Sequence, residues 1–412
     1  MNPVIQAYSI CIQAGQPVLL WGPPGVGKTM ITQAIARSLK FNLIEQICST
    51  WDPTDVGLPM LDGNANSNDD KHVFEKLIEF SDKDLGDLSS KELVEEYQKL
   101  RESEKTKRGA FFSRVPPEWA INCCESAESG GALLYLDEYS CTPPAVQAAT
   151  LKIVGERKCG DLQLPENLSI AASANPADQA AGGWDLAPPA ANRWCHLDFS
   201  LNVDEWCDGM LTGFPDPEVS KLPKGWEDLI PSKRVLVSSY IKRFGAEKLL
   251  NCPEDEASAG RAWPSPRSWF ACARLLAAAE AIDADGAVVL RLVRGMVGDP
   301  ATSFMTFIEN LDLPDPELLL ADPSMYEHPT RGDKAHVVLN SVVAAVLRKP
   351  TAKRWLAASE ICRSASLQGG HDIACIPAMH LLKNQVSGVE IPDSFIELFP
   401  TMEAAGFFSG GK

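Results

Sequence analysis

Short apolar runs alternate with amphipathic segments over residues 1–200. The runs Val18–Trp21, GGALLYLDEYS at Gly130–Ser140 and LSIAASANP, which ends around Asn175, have the composition of buried strands. The segments between them carry apolar residues at helical spacing, as in KTMITQAIARSL. Strands that alternate with helices predict a doubly wound parallel sheet, so the expected fold class of this first domain is α/β.

The strand pattern ends near residue 200, and only helical patterns follow. VLVSSYIKRFGAEKLL and WPSPRSWFACARLLAAA predict an all-helical second domain over residues 201–310. HVVLNSVVAAVLRK and AKRWLAASEICRSASLQGG predict two amphipathic helices in a C-terminal extension at 311–412. The last residues, FSGGK, are expected to be disordered.

Composition narrows the possible partners. The 412 residues carry a formal charge of −17, which argues against a sequence-independent affinity for nucleic acid. The 12 cysteines form no CxxC pair, and the 6 histidines lack metal-ligand spacing, so free thiols in a reducing compartment are expected. No apolar run reaches the roughly 18–20 residues of a membrane helix. These features predict a cytoplasmic protein that binds neither nucleic acid nor a membrane.

A phosphate-binding loop follows the first predicted strand. The segment GPPGVGKT matches G-x-x-x-x-G-K-[ST], with Gly22, Gly27, Lys28 and Thr29 at the required positions. Glycines let backbone N–H groups point at a phosphate, the lysine reaches the β- and γ-phosphates, and the hydroxyl ligates Mg²⁺. The residues expected to contact ATP here are Gly22, Pro23, Pro24, Gly25, Val26, Gly27, Lys28, Thr29 and Met30.

Two further strands end in polar residues suited to ATP hydrolysis. Asp137 and Glu138 end the run GGALLYLDEYS. Asp137 is predicted to hold the Mg²⁺ shell together with Thr29, and Glu138 to be the base that orients the attacking water. Asn175 ends the next strand, and strand C-termini converge on the ligand crevice of a parallel sheet, so Asn175 is expected to contact the γ-phosphate or that water.

Together these motifs make residues 1–200 resemble the ATP-binding core of an AAA+ ATPase, specifically of the MoxR branch. The run PPAVQAATLKIVGER followed by LPENLSIAASANP is similar to the helix, hairpin and sensor-1 strand of that branch. DPTDVGLP at 52–59 resembles the segment that leads into its helix-2 insert, a β-hairpin facing the ring pore. WPSPRSWFACARLLAAA resembles the start of the sensor-2 helix, in a helical lid at 201–310.

The resemblance assigns roles to the arginines. Arg193, in LAPPAANRWCHLDF, occupies the place of the arginine finger, which would act on the ATP of the next subunit. The alternative is an internal role, in which Arg193 pairs with Asp198 or stacks on Trp194. Arg267 occupies the sensor-2 position and is expected to bind the nucleotide of its own subunit. Arg157 is either a second interface arginine or part of an ordinary surface ion pair.

One segment departs from the family. Residues 62–110 lie where the branch has a short hairpin, and HVFEKLIEF and SSKELVEEYQKLRESEKTKR predict helices there. We expect this insert to contact a client or companion protein rather than the nucleotide.

The resemblance implies an ATPase that works as a homo-oligomeric ring, expected to be a hexamer, and remodels or helps to mature a partner protein. The usual companion in the family carries a von Willebrand factor A domain. Two alternatives stay open at this point. One is a nucleic-acid motor of the restriction type, and the other is a nucleotide-dependent binding switch with little turnover.

Overall fold

The core is a five-stranded parallel sheet. The computed structural model describes residues 2–62, 111–176, 179, 183–398 and 400. The sheet strands are β1 (Val18–Trp21), β2 (Asn42–Ile47), β5 (Ala132–Asp137), β8 (Leu168–Ala174) and β9 (Cys195–Asp198), in the order β2-β5-β8-β1-β9. All four pairings are parallel, so the carboxyl ends of the strands share one edge. β8 and β5 are apolar and buried on both faces, as expected for strands covered by helices on each side.

Helices cover both faces of this sheet. They are α1 (Pro3–Gln13), α2 (Lys28–Leu39), α3 (Glu118–Glu128), α4 (Pro144–Glu156) and the short α5 (Pro188–Ala191). Because strand side chains alternate, Val18 and Leu20 pack with α1 and α2, whereas Leu19 and Trp21 pack with α3 and α4. The α/β fold class, with helices on both faces of a parallel sheet, is confirmed.

Two antiparallel strand pairs accompany this sheet. β3 (Leu58–Asp62) pairs with β4 (Phe111–Val115), and β6 (Lys158–Cys159) pairs with β7 (Leu162–Gln163). The first hairpin lies at the position where the sequence resembles a helix-2 insert. The helices predicted between 62 and 110, and the final FSGGK, lie outside the residues described.

The segment after β9 is helical. It consists of α6 (Val203–Thr212), α7 (Ile230–Phe244), α8 (Ala246–Leu249), α9 (Glu256–Ala259), α10 (Pro266–Ala281), α11 (Gly286–Val297) and α12 (Pro300–Glu309). A cluster of aromatic rings packs α7, α10 and α12 together: Tyr240 lies 5.4 Å from Trp269 and 5.1 Å from Phe304, centroid to centroid. This helical unit shares one apolar cluster with α1 and one face of the sheet, which holds it against the core.

A second helical unit follows with an apolar core of its own. Its helices are α13 (Pro316–Ala321), α14 (Gly332–Arg348), α15 (Ala352–Leu367), α16 (His371–Lys383) and α17 (Asp393–Ile396). The sequence patterns located α14 and α15 to within a few residues, and α16 was missed because Pro377 interrupts its helical pattern. Across the described parts of the chain, no helix has the length and apolarity to cross a membrane. The 12 cysteines are free thiols.

Candidate active site

The phosphate loop joins β1 to α2 at the carboxyl edge of the sheet. Gly25 and Gly27 take left-handed φ values of 80° and 93°, which residues with a side chain rarely adopt. At Gly22, a Cβ would lie 2.8 Å from the Phe199 carbonyl oxygen, so that position requires glycine for space. Gly27 is the residue before α2, so the loop leads into the positive end of a helix. This is the backbone geometry that a polyphosphate needs.

Lys28 is folded into the loop. Its Nζ donates to the carbonyl oxygens of Gly22 at 2.7 Å and Pro23 at 3.0 Å, and to Oδ1 of Asn175 at 2.7 Å. Burial lowers the pKa of Lys28, and the negative charges of Asp137 and Glu138 act in the opposite direction. The ammonium is therefore held beside the place where the β- and γ-phosphates of a nucleotide would lie, and a bound phosphate would replace some of these carbonyl contacts.

Thr29 and Asp137, which are predicted to hold magnesium, lie in contact with each other. The Thr29 hydroxyl donates to Oδ2 of Asp137 at 2.9 Å, so both oxygens face one point. Among the described residues no group of three or more His, Cys, Asp or Glu side chains has the arrangement of a metal site. One hydroxyl and one carboxylate fit Mg²⁺ bound together with phosphates and water, the usual form of magnesium in nucleotide sites.

The sequence did not identify the groups that orient Asp137. Tyr135 donates to Oδ1 of Asp137 at 3.2 Å, and the Ser173 hydroxyl and the Glu138 amide donate to the same oxygen, the amide at 2.9 Å. Three donors on Oδ1 leave Oδ2 directed at Thr29. The available signal was the position of Ser173 near the end of β8, a polar residue close to the carboxyl end of the strand beside the Asp137 strand.

Glu138 has an unusual backbone conformation. Its φ of 56° is left-handed, which costs a residue with a side chain about 1–3 kcal/mol and is most often found at functional sites. The conformation turns the side chain out of the sheet edge, and the carboxylate accepts a hydrogen bond from the Ser49 hydroxyl. Ser49 follows β2, the strand beside β5, and was not predicted to belong to the site. An exposed carboxylate at this position is suited to orient a water molecule.

Asn175 lies where the sequence placed it. Its backbone N–H donates to the Ser140 hydroxyl at 3.0 Å, and that hydroxyl donates to the Asn175 carbonyl oxygen at 3.1 Å. The side chain meets Lys28, so the amide lies within the phosphate site. The structure thus brings together Lys28, Thr29, Asp137, Glu138 and Asn175.

Arg193 lies at the opposite edge of the sheet. It precedes β9, whose first residue Cys195 is paired with Val18, the first residue of β1, whereas the phosphate loop begins after the last residue of β1. The Arg193 carbonyl oxygen accepts from Gln16 at 3.2 Å, before β1 begins. At about 3.3 Å per strand residue, the six residues from Gln16 to Gly22 put this level about 20 Å from Gly22 along β1, beyond the reach of an arginine side chain. Arg193 does not contact the phosphate loop of its own chain.

Neither internal partner considered for Arg193 is used. Asp198 pairs with Arg261 at 3.0 Å, and Trp194 packs edge-on against Tyr139. The Arg193 Nη1 donates to the Pro189 carbonyl oxygen at 2.5 Å. Within the part of the chain that the structure describes, its guanidinium has no carboxylate partner.

Arg267 is placed differently from the prediction. It lies in the first turn of α10, and Ser265, the residue that caps this helix, donates to Oδ1 of Asn192 at 2.6 Å. Asn192 in turn donates to the Trp263 carbonyl oxygen at 3.0 Å. Burial, and next the positive charge of Arg267, lower the pKa of Arg193, so the two arginines are neighbours. The expectation that Arg267 binds the nucleotide of its own subunit is therefore corrected, because the hydrogen bond from Ser265 to Asn192 holds the start of α10 at the amino edge.

Arg157 fits neither of its predicted roles. Its Nη1 donates to the carbonyl oxygens of Leu168 at 2.5 Å and Pro165 at 3.2 Å, and its Nη2 donates to that of Gly15 at 3.2 Å. Burial lowers its pKa. Arg157 is an internal group that joins three segments of the core.

Part of the chain is similar to a known protein family. Residues 18–83 match the model of the family "ATPase family associated with various cellular activities (AAA)". The fold around this matched segment is the α/β P-loop fold expected from the sequence. A search of proteins with curated functions finds no match. The chain is also similar to a crystal structure of a candidate ATPase from Cytophaga hutchinsonii, at 15% identity and a TM-score of 0.43, over 76% of this chain and 90% of the other.

Proposed function

We propose that this protein is a MoxR-type AAA+ ATPase that binds ATP with Mg²⁺ and hydrolyses it in a homo-oligomeric ring, expected to be a hexamer. The observation that carries the proposal is that the predicted catalytic residues lie at two opposite edges of the sheet. Lys28, Thr29, Asp137, Glu138 and Asn175 converge at the carboxyl edge of the sheet. The arginine that the reaction also uses lies at the other edge, so a complete site needs a second copy.

The residues at the carboxyl edge have distinct tasks. Lys28 and the loop amides neutralise the phosphates, and Thr29 with Asp137 holds the magnesium ion, which supplies positive charge to the transferred phosphoryl group. Glu138 orients the water, and Asn175 lies where it meets the γ-phosphate or that water.

The amino edge supplies the remaining charge. Arg193 offers a guanidinium fork to the charge that spreads over the γ-phosphoryl oxygens, a contribution of about 10³–10⁵ in rate. Because Arg267 lies beside it, we extend the proposal to both arginines: each acts on the nucleotide of the neighbouring subunit. In this arrangement hydrolysis depends on ring assembly.

The use of the energy is proposed from the resemblance to the MoxR branch. The protein would remodel or assist the maturation of a partner protein, with a companion that carries a von Willebrand factor A domain. We propose a cytoplasmic location for this work. The partner is tested by comparing the proteins that co-purify with Glu138→Gln and with Lys28→Ala, because only the first variant holds ATP. A companion enriched on both variants alike contradicts nucleotide-dependent capture.

Subunit mixing tests the two-edge arrangement. Lys28→Ala should abolish ATP binding, Glu138→Gln should bind ATP without hydrolysis, and Arg193→Ala should bind ATP and turn over about 10³-fold or more slowly. Mixed rings of Glu138→Gln and Arg193→Ala should regain activity, because some interfaces join an intact Glu138 to an intact Arg193. Mixed Glu138→Gln and Lys28→Ala rings are the control, since every site then lacks a residue of the carboxyl edge.

Three results would contradict the proposal. Wild-type turnover by Arg193→Ala rings would remove the arginine from catalysis. Mixed rings that form, as shown by size-exclusion chromatography, but stay inactive would place its action within one subunit. A wild-type protein that binds ATP and does not turn it over would favour the binding switch.

A further inference from the structure

The side chain of Arg193 is held on both sides. On one side, its Nη1 donates to the carbonyl oxygen of Pro189 in α5, and the backbone N–H of Arg193 donates to the Ala190 carbonyl oxygen at 3.1 Å. On the other side lies Gly155, in the last turn of α4. A Cβ built at Gly155 would lie 2.5 Å from Nε of Arg193, 3.2 Å from its Cδ and 3.4 Å from its Cζ.

This contact leaves part of the guanidinium without a partner. Nε of Arg193 is buried and makes no hydrogen bond, an arrangement that costs about 1–3 kcal/mol. Nη2 has no partner either among the residues that the structure describes. Burial and then the charge of Arg267 lower the pKa of the group, whereas the charge of Glu156 on α4 raises it. The side chain is thus directed by shape rather than by an ion pair.

We infer that Gly155 is a positioning residue for Arg193: its bare backbone leaves the space that aims the guanidinium at the neighbouring subunit's γ-phosphate. The inference rests on the proposed trans role of Arg193. Glycine in a helix is less favourable than alanine by about 1 kcal/mol. The three heavy atoms nearest to a Cβ at this position all belong to Arg193. Space for that one side chain is therefore the local reason for glycine here.

The helix and the active site respond in opposite directions to Gly155→Ala. The methyl group favours α4, and the clash can be relieved by moving the arginine side chain, so the melting temperature should stay equal or rise. A guanidinium displaced by about 1 Å should lower kcat about 10–100-fold. The KM for ATP should stay within about threefold, because the phosphate loop is remote.

Gly286→Ala is the matched control. Gly286 is the first residue of α11, and a Cβ there would meet nothing within 4 Å. Gly286→Ala should change the melting temperature in the same direction as Gly155→Ala and leave kcat at the wild-type value.

Complementation shows which subunit the change affects. Gly155→Ala rings mixed with Glu138→Gln should regain activity, since Glu138→Gln subunits supply a correctly aimed Arg193. Gly155→Ala mixed with Arg193→Ala should gain no activity over Gly155→Ala alone. In the Arg193→Ala background, Gly155→Ala should raise stability and change kcat no further.

The outcomes separate the inference from the proposed function. A normal kcat in Gly155→Ala rings, while Arg193→Ala is inactive, overturns the inference alone. Inactivity that Glu138→Gln does not relieve also overturns it, because the effect is then within the subunit. If Gly155→Ala unfolds the protein even in the Arg193→Ala background, the contact is not with Arg193 and the inference fails. If Arg193→Ala is itself fully active, the proposed trans mechanism fails first.

Discussion

Replacement of Arg157 by alanine tests whether this arginine belongs to the core or to an interface. The side chain donates three hydrogen bonds to the carbonyl oxygens of Gly15, Pro165 and Leu168. These residues lie before β1 and in the segment leading into β8, so the guanidinium connects parts of the chain that are distant in sequence. Arg157→Ala removes all three bonds at once.

The structure sets the size of the effect. Hydrogen bonds from a charged donor contribute about 1.5–3 kcal/mol each. Two of the three are long, at 3.2 Å, and water can partly replace the guanidinium. We therefore expect a loss of about 3–5 kcal/mol in the free energy of unfolding of the core. For a domain of this size, that loss lowers the melting temperature by about 10 °C.

Thermal unfolding followed by circular dichroism, with ATPase activity measured well below the transition, is the assay. Arg363→Ala is the control, because Arg363 pairs with Glu360 at 3.0 Å and Glu397 at 3.4 Å on the surface. Exposed pairs contribute about 0–1 kcal/mol, so its melting temperature should barely change. Arg157→Lys, which keeps the charge and loses the fork, should fall between the two.

One result would refute the assignment. If Arg157→Ala melts like the wild type, loses ATPase activity and is complemented by Glu138→Gln subunits, then Arg157 acts at the interface after all. Retained activity with a lowered melting temperature supports the internal role.

Three further predictions follow from the site and the core. Thr29→Ala should lower Mg²⁺-dependent turnover about 10–100-fold, while Thr29→Ser should stay close to wild type. Equal turnover of the wild type and both variants across a Mg²⁺ titration would contradict the metal site. Ser173→Ala should raise the Mg²⁺ concentration needed for half-maximal turnover about 10–100-fold. Ser169→Ala should leave this Mg²⁺ concentration unchanged, because Ser169 lies on the same strand but donates to the Ile12 carbonyl oxygen. An equal effect of both changes would exclude a specific role for Ser173. Burial lowers the pKa of His196 to about 4, whereas the unfolded chain binds the proton near 6.5. Protonation therefore favours the unfolded chain, and the free energy of unfolding is unaffected by His196 above pH 6.5 and decreases as the pH falls toward 4. His196→Gln should make the melting temperature fall less steeply over this pH range. His336 contributes to the same decrease, so some pH dependence should remain. A pH profile of the melting temperature that is identical to the wild type would refute the contribution of His196.

The sequence by itself determined the nucleotide-binding half of the site. Gly22, Lys28 and Thr29 lie in one continuous loop whose chemistry depends on local spacing. Asp137 and Asn175 follow apolar strands, and strands of a parallel sheet necessarily bring their carboxyl ends to one edge. These residues could be predicted because each depends on its own strand or loop and on one general rule of sheet geometry.

Only the tertiary structure decided the rest. Ser49 and Ser173 meet Glu138 and Asp137 because β2, β5 and β8 are neighbours in the sheet, and no local pattern marks a serine for that contact. Arg157 lies in a helix end that resembles a surface position, yet the loops around it bury its side chain. The side of the molecule on which Arg267 lies depends on the hydrogen bond from Ser265 to Asn192, a contact between residues far apart in sequence. Strand and loop motifs act over a few residues, whereas the packing of a helical domain on a sheet depends on surfaces assembled from the whole chain, and this is the reason that only folding revealed these positions.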